Sequence, residues 1–152
     1  MSVPEIIYAD PIGSPFRPVD LDEIVNLLRT HRDDYWLPQN VQALASLTFC
    51  PQGWADGLPQ PSEVQFFRRE GLGFHFYHVH DLGFGKTAKF MAARNLDYSK
   101  SISITLANDE QNVFANLFVD IHHAVNIVSQ FFIDGGRTGQ VAWVDIRSLP
   151  PN

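Results

Sequence analysis

His75, His78 and His80, followed at once by Asp81, form the densest set of potential metal ligands in the chain. Side chains alternate along a strand, so His78 and His80 share a face with Phe74 and Phe76, while His75 points the other way with Tyr77 and Val79. Two imidazoles at i, i+2 can share an ion, but a third ligand has to come from elsewhere, with Asp120, His122 and His123 as candidates. The single cysteine, Cys50, excludes thiolate-rich sites. Gly83-Phe84-Gly85-Lys86-Thr87 ends like a phosphate-binding loop, G-x-x-x-x-G-K-[ST], and Asp120 closes a hydrophobic run in the manner of the acid that helps hold Mg²⁺. The leading glycine of that pattern is replaced by His80.

Other catalytic arrangements find less support. No G-x-S-x-G elbow occurs, and Cys50 sits beside Pro51 without a catalytic neighbourhood. The acid pairs Asp33–Asp34 and Asp109–Glu110 are adjacent in sequence, which points them apart on a helix or strand. The expectation is a protein that is not an enzyme and holds no metal or cofactor. The alternative is a small nucleotide- or metal-binding enzyme built on Gly83–Thr87 or on the histidines.

Surface aromatics among acids are the stronger lead. Asp33-Asp34-Tyr35-Trp36 follows a helical stretch, and Trp54-Ala55-Asp56 lies in a Pro/Gly loop. Tyr and Trp are enriched in interface hot spots, and acids beside them attract Lys and Arg of a partner. Asp33, Asp34, Tyr35, Trp36, Trp54 and Asp56 are therefore the expected partner-binding residues. The net charge of −6 lies wholly in the first half: residues 1–67 hold nine acids and three bases, residues 68–152 eight of each. Such a field repels nucleic acid and anionic lipid and favours a basic protein partner.

The elements that must position these residues follow from periodicity. The 152 residues fit a single domain, with residues 1–19, carrying Pro4, Pro11, Pro15 and Pro18, as an extended N-terminal arm. Asp20 and Glu23 form a capping-box pattern, and Leu21, Ile24, Val25 and Leu28 give the stripe of a helix running to about His31. Residues 41–49 fit helix or strand, the alternation of Val41, Ala43, Ala45, Leu47 and Phe49 favouring strand. Glu63–Arg69 and Gly73–His80 read as a hairpin, and residues 87–94 are ambiguous between helix and strand. Ser101–Ala107 alternates as a half-buried strand, Asn108–Asn112 reads as a polar turn, and Asn112–Val119 as the return strand. Asp120 caps a second helix with Ile121, Ala124, Val125, Val128, Phe131 and Phe132 on its apolar side, stopped by Gly135-Gly136. A last strand, Gln140–Ile146, carries Trp143. The fold class expected is α+β, an antiparallel sheet of about five to seven strands with two main helices packed on it. Most of the 12 phenylalanines belong in its core.

The chain shows no export signal and no apolar stretch of about 18 residues, so the cytoplasm is the expected compartment, which suits an unpaired thiol. In the C-terminal third, Asp120-Ile-His-His-Ala124, Val128, Phe131-Phe132, Gly135-Gly136-Arg137-Thr138 and Val141-Ala142-Trp143 resemble a family of bacterial immunity proteins associated with polymorphic toxins, including nucleic acid deaminase toxins. The resemblance implies an antitoxin that binds a cognate protein toxin, a basic nucleic-acid-targeting enzyme, and covers its active site or substrate groove. It also implies that residues 120–143 are mainly scaffold; the negative field and the lack of a basic stripe, for their part, lead to the expectation of no direct binding to nucleic acid or membrane. A structural or assembly subunit, with surplus phenylalanines forming a seam between copies, is the other reading.

Overall fold

The computed structural model describes residues 4–30, 35–36, 44–53, 60–106 and 108–151. The strands are β1 (Glu5–Ala9), β2 (Arg17–Pro18), β3 (Ala45–Cys50), β4 (Ser62–Arg69), β5 (Gly73–Gly83), β6 (Lys86–Ala93), β7 (Ser101–Leu106), β8 (Asp109–Phe114), β9 (Phe118–Val119) and β10 (Ala142–Asp145). The helices are α1 (Leu21–Thr30) and α2 (Ile121–Asp134). Eight strands make one antiparallel sheet, ordered β10-β6-β5-β4-β3-β1-β2, with β9 paired to the start of β5. Strands β7 and β8 form a separate ribbon. The architecture is α+β, as the periodicity predicts. Among the described residues no helix is long and apolar enough to cross a membrane.

Local chemistry sets the helix ends. The Asp20 carboxylate accepts the Glu23 backbone N–H at 2.8 Å. The reciprocal half of the capping box is not made, because Glu23 turns to Arg17 at 2.7 Å. Asp120 likewise accepts the His123 N–H at 2.9 Å, and Gly135 ends α2 in the left-handed region at φ 71°. Ile24, Leu27 and Leu28 of α1 and Ala124, Ile127, Val128 and Phe131 of α2 are buried. The two helices pack on each other, and α2 packs on β3 and β5.

Several expectations change. The supposed arm contains β1, a run of five residues (EIIYA) whose Ile6, Ile7 and Tyr8 are all buried between β2 and β3. Its prolines flank this ladder or lie on the two-residue edge strand β2, where a missing N–H costs nothing. Residues 45–49 and 87–93 are strand. Strand β8 begins at Asp109, paired with Leu106, so most of the supposed polar turn is strand, with Asn108 at φ 68°. The return strand also breaks: Ala115–Leu117 form a 3₁₀ turn that delivers Phe118 and Val119 to β5 as β9. The sheet gains its eighth strand from these short pieces.

Parity along β5 divides the sheet into two faces. Leu47, Val64, His78 and Phe90 form one cross-strand row on the helix side. There Phe66 stacks on Phe76 at 5.1 Å, and Phe49 meets Phe131 edge-on at 6.2 Å. The opposite face is covered at one end by the β7–β8 ribbon, whose Ile104, Leu106 and Phe114 join the core and whose Thr105 carbonyl accepts Arg69 at 2.6 Å. Eight of the 12 phenylalanines are buried. Phe16 and Phe84 are the exposed ones.

The carbonyl of Gly135 accepts two hydrogen bonds from the sheet, from Ser62 Oγ at 2.8 Å and His78 Nε2 at 2.9 Å. A Cβ at Gly135 would lie 2.6 Å from Ser62 Oγ and 2.7 Å from the Phe49 ring. Positive φ costs a non-glycine residue about 1–2 kcal/mol before any clash. Gly135→Ala is expected to lose about 3 kcal/mol or more of stability by urea denaturation, whereas Gly139→Ala, which meets nothing within 4 Å, changes little.

Candidate functional site

The histidines do not converge. His75 is fully buried on the ribbon side, near-parallel to Phe67 at 4.9 Å and edge-on to Phe118 at 5.3 Å. His78 is buried on the helix side and committed to Gly135, and His80 is exposed. His123 Nδ1 sits 2.9 Å from Asp120. Among the described residues no three of His, Cys, Asp and Glu gather as a metal site. Burial pushes the His75 imidazole down to about 3, with a small contribution from Lys89, and it lowers His78 as well. Both rings are therefore held neutral near pH 7.

The Gly83–Thr87 segment is a hairpin turn, not a phosphate loop. A phosphate loop needs a strand, a loop and then a helix. Here residues 86–93 form β6, antiparallel to β5, with Gly83 paired to Lys86 across a two-residue turn.

Of the expected partner-binding residues, Asp33, Asp34, Trp54 and Asp56 lie outside the described residues. Trp36 is a correction: it is 1% exposed, tilted against Phe66 at 5.7 Å, and its carbonyl accepts Arg69 at 3.1 Å. A large ring beside α1 fills the core more profitably than it reaches solvent. Tyr35 is half-buried, with its hydroxyl 2.7 Å from that of Tyr8. Burial, together with this bond, raises the Tyr8 phenol, so it stays protonated.

The structure offers a different surface. On the face away from the helices, Ile7, Thr48, Glu63, Val79 and Lys89 form a cross-strand row. Two clefts of about 320 and 470 Å³ adjoin across it at Gln60 and Glu63. Phe16, 62% exposed, walls the first, and Phe84, fully exposed, walls the second. The charged side chains lining them are Glu63 and Asp81. Lys89 lies over the Tyr77 ring at 4.5 Å.

Phe84 is the outstanding residue of this surface. It sits at the tip of the β5–β6 hairpin at φ 56°, next to Gly85 at φ 75°, with Leu82 beside it 57% exposed. Two consecutive left-handed residues make the turn that matches strand twist, and Asn-Gly is the sequence that forms it most easily. Asp81 steadies the turn by accepting the Gly83 N–H at 2.8 Å. A phenylalanine here carries backbone strain and gains no burial within the chain. Strain kept at an exposed aromatic points to a role outside the fold. The signal was present in the sequence as G-F-G between two β-rich runs, where Phe occupies a position suited to Asn.

No protein-family model matches this chain, and no curated protein matches its sequence. The fold is α+β and, among the described residues, helices cover one face of the main sheet and two clefts with Glu63 and Asp81 in their lining lie on the other.

Two measurements check this description. Phe84→Asn is expected to keep the fold and raise stability by about 1 kcal/mol, read by chemical denaturation. The second concerns His75, whose folded-state pKa lies below the unfolded value of 6.5. The unfolded chain binds the extra proton between those values, so the contribution is full above about pH 6.5 and is lost as pH falls toward about 3. In His75→Phe the pH dependence of stability in that window is expected to flatten by up to about 1.4 kcal/mol per pH unit.

Proposed function

We propose that this protein is an antitoxin-like inhibitor that binds a cognate protein toxin through its open sheet face and covers the toxin's active site or substrate groove. The observation that carries this reading is Phe84, fully exposed and backbone-strained beside a cleft whose lining charges are Glu63 and Asp81. An aromatic anchor beside acids suits a basic surface, such as that of an enzyme acting on nucleic acid. The negative charge of residues 1–67 steers the same partner at long range.

The segment that resembles immunity proteins supports the reading in its own way. Asp120, Phe131, Gly135 and Trp143 cap, pack, stop and close the helix-on-sheet unit, Trp143 donating to the Thr138 carbonyl at 2.9 Å. These residues act as scaffold and leave the contact surface to other parts of the chain. Asp33, Asp34, Trp54 and Asp56 remain proposed contacts on sequence grounds.

The test is survival of cells co-expressing this chain with the toxin domain encoded by the adjacent gene. Rescue by the wild-type chain is expected, with Phe84→Asp or Glu63→Lys weakening the purified complex by about 30-fold or more, the loss of one hot spot. Failure of the wild-type chain to rescue sinks the inhibitor reading. Rescue with undiminished affinity in both variants moves the interface elsewhere. Concentration-dependent mass in sedimentation, abolished by Phe84→Asp, assigns the face to self-association instead.

A further inference from the structure

The first residues of β5 open onto a groove of about 830 Å³. Arg29 from the end of α1, Arg68 from β4, Arg94 just past β6, and Asp120 and His123 at the start of α2 line it. We propose that this groove is a binding site for a small phosphate-bearing ligand, a second site independent of the open sheet face.

Three arginines from separate parts of the chain, Arg29, Arg68 and Arg94, line this groove, in a chain whose net charge is −6. Arg29 and Arg94 are exposed and form no ion pair among the described residues. The one lining carboxylate, Asp120, is occupied as the cap of α2, accepting both the backbone N–H of His123 and, at 2.9 Å, its Nδ1. The cap takes up the His123 N–H at the start of α2, and the anion affinity is assigned to Arg29 and Arg94. Arg29 and Arg94, both exposed cations lining this groove, attract a dianion. The planar guanidinium fork matches two phosphate oxygens at once.

The rest of the lining suits an organic portion. Leu72 is half-buried and Ile121 is 39% exposed beside the arginines, a place for a flat or apolar moiety. The floor is rigid: Gly73, at φ 106°, packs so closely on the Val119 carbonyl that no side chain fits between them. A volume of this size falls in the range of small-molecule sites. An 11-residue strand separates this groove from the Phe84 tip by about 33 Å, too far for one small ligand to touch both.

Isothermal titration of the full chain with pyrophosphate, and in parallel with a nucleoside diphosphate, tests the proposal. Saturable binding of either in the sub-millimolar range is expected, weakened about tenfold by Arg94→Gln and again by Arg29→Gln, with folding checked by circular dichroism. Equal affinity for the two probes assigns recognition to phosphate alone; tighter binding of the nucleoside diphosphate adds the Leu72–Ile121 contact. Absence of heat and of ³¹P line broadening with both probes at millimolar concentration overturns it, as does undiminished binding in the Arg29→Gln/Arg94→Gln double variant. Neither outcome bears on toxin inhibition, because both substitutions lie at the other end of β5.

Discussion

One backbone carbonyl holds the two layers together. Gly135 directs its oxygen at the sheet, where Ser62 from β4 and His78 from β5 both donate to it. A helix leaves its last carbonyls without internal partners, and α2 satisfies this one inside the core. The arrangement requires a left-handed residue without a side chain, a hydroxyl two strand-rungs from the imidazole, and an uncharged His78. Burial supplies the last condition by disfavouring the imidazolium. Hydrogen bonds fix direction where apolar packing alone would not, so this contact sets how α2 lies across β4 and β5.

From that contact the division of labour follows. With His78, Val64 and Leu47 turned toward α2, the two-residue period commits His75, Glu63 and Thr48 to the other side. The ribbon of β7 and β8 covers the His75 end, leaving Glu63, Val79 and the hairpin tip toward solvent. Strand β5 therefore carries core, open face and groove on a single 11-residue segment.

What could be read from the residues was local. Asp20, Asp120 and Gly135 announce helix ends because capping depends on neighbours three or four positions away. The 62–83 hairpin and the Ile102, Ile104, Leu106 alternation are legible for the same reason. Strand β1 was not, because its partner β3 lies some 40 residues on and the surrounding prolines speak of an arm. Depth was illegible too. Trp36 and Asp33 are near neighbours in sequence, yet the tryptophan's burial is decided by Phe66, which only tertiary structure brings to it. The groove is illegible for a related reason: Arg29, Arg68 and Arg94 are far apart in the chain and only tertiary structure brings them to one groove. Phe84 stands in plain view beside Lys86 and Thr87, but its informative property is a backbone angle, φ 56°, which residue order does not carry.

The margins of the main sheet bear on behaviour in storage and crowding. One border is β2, two residues long with Pro18 in it, and the other is the four-residue β10. Short borders, one of them lacking an amide hydrogen, give a neighbouring molecule little backbone on which to extend a ladder. A chain that keeps a bare aromatic ring in water invites sticking, and these blunt margins leave the main sheet little through which such an encounter can extend into a continuous ladder.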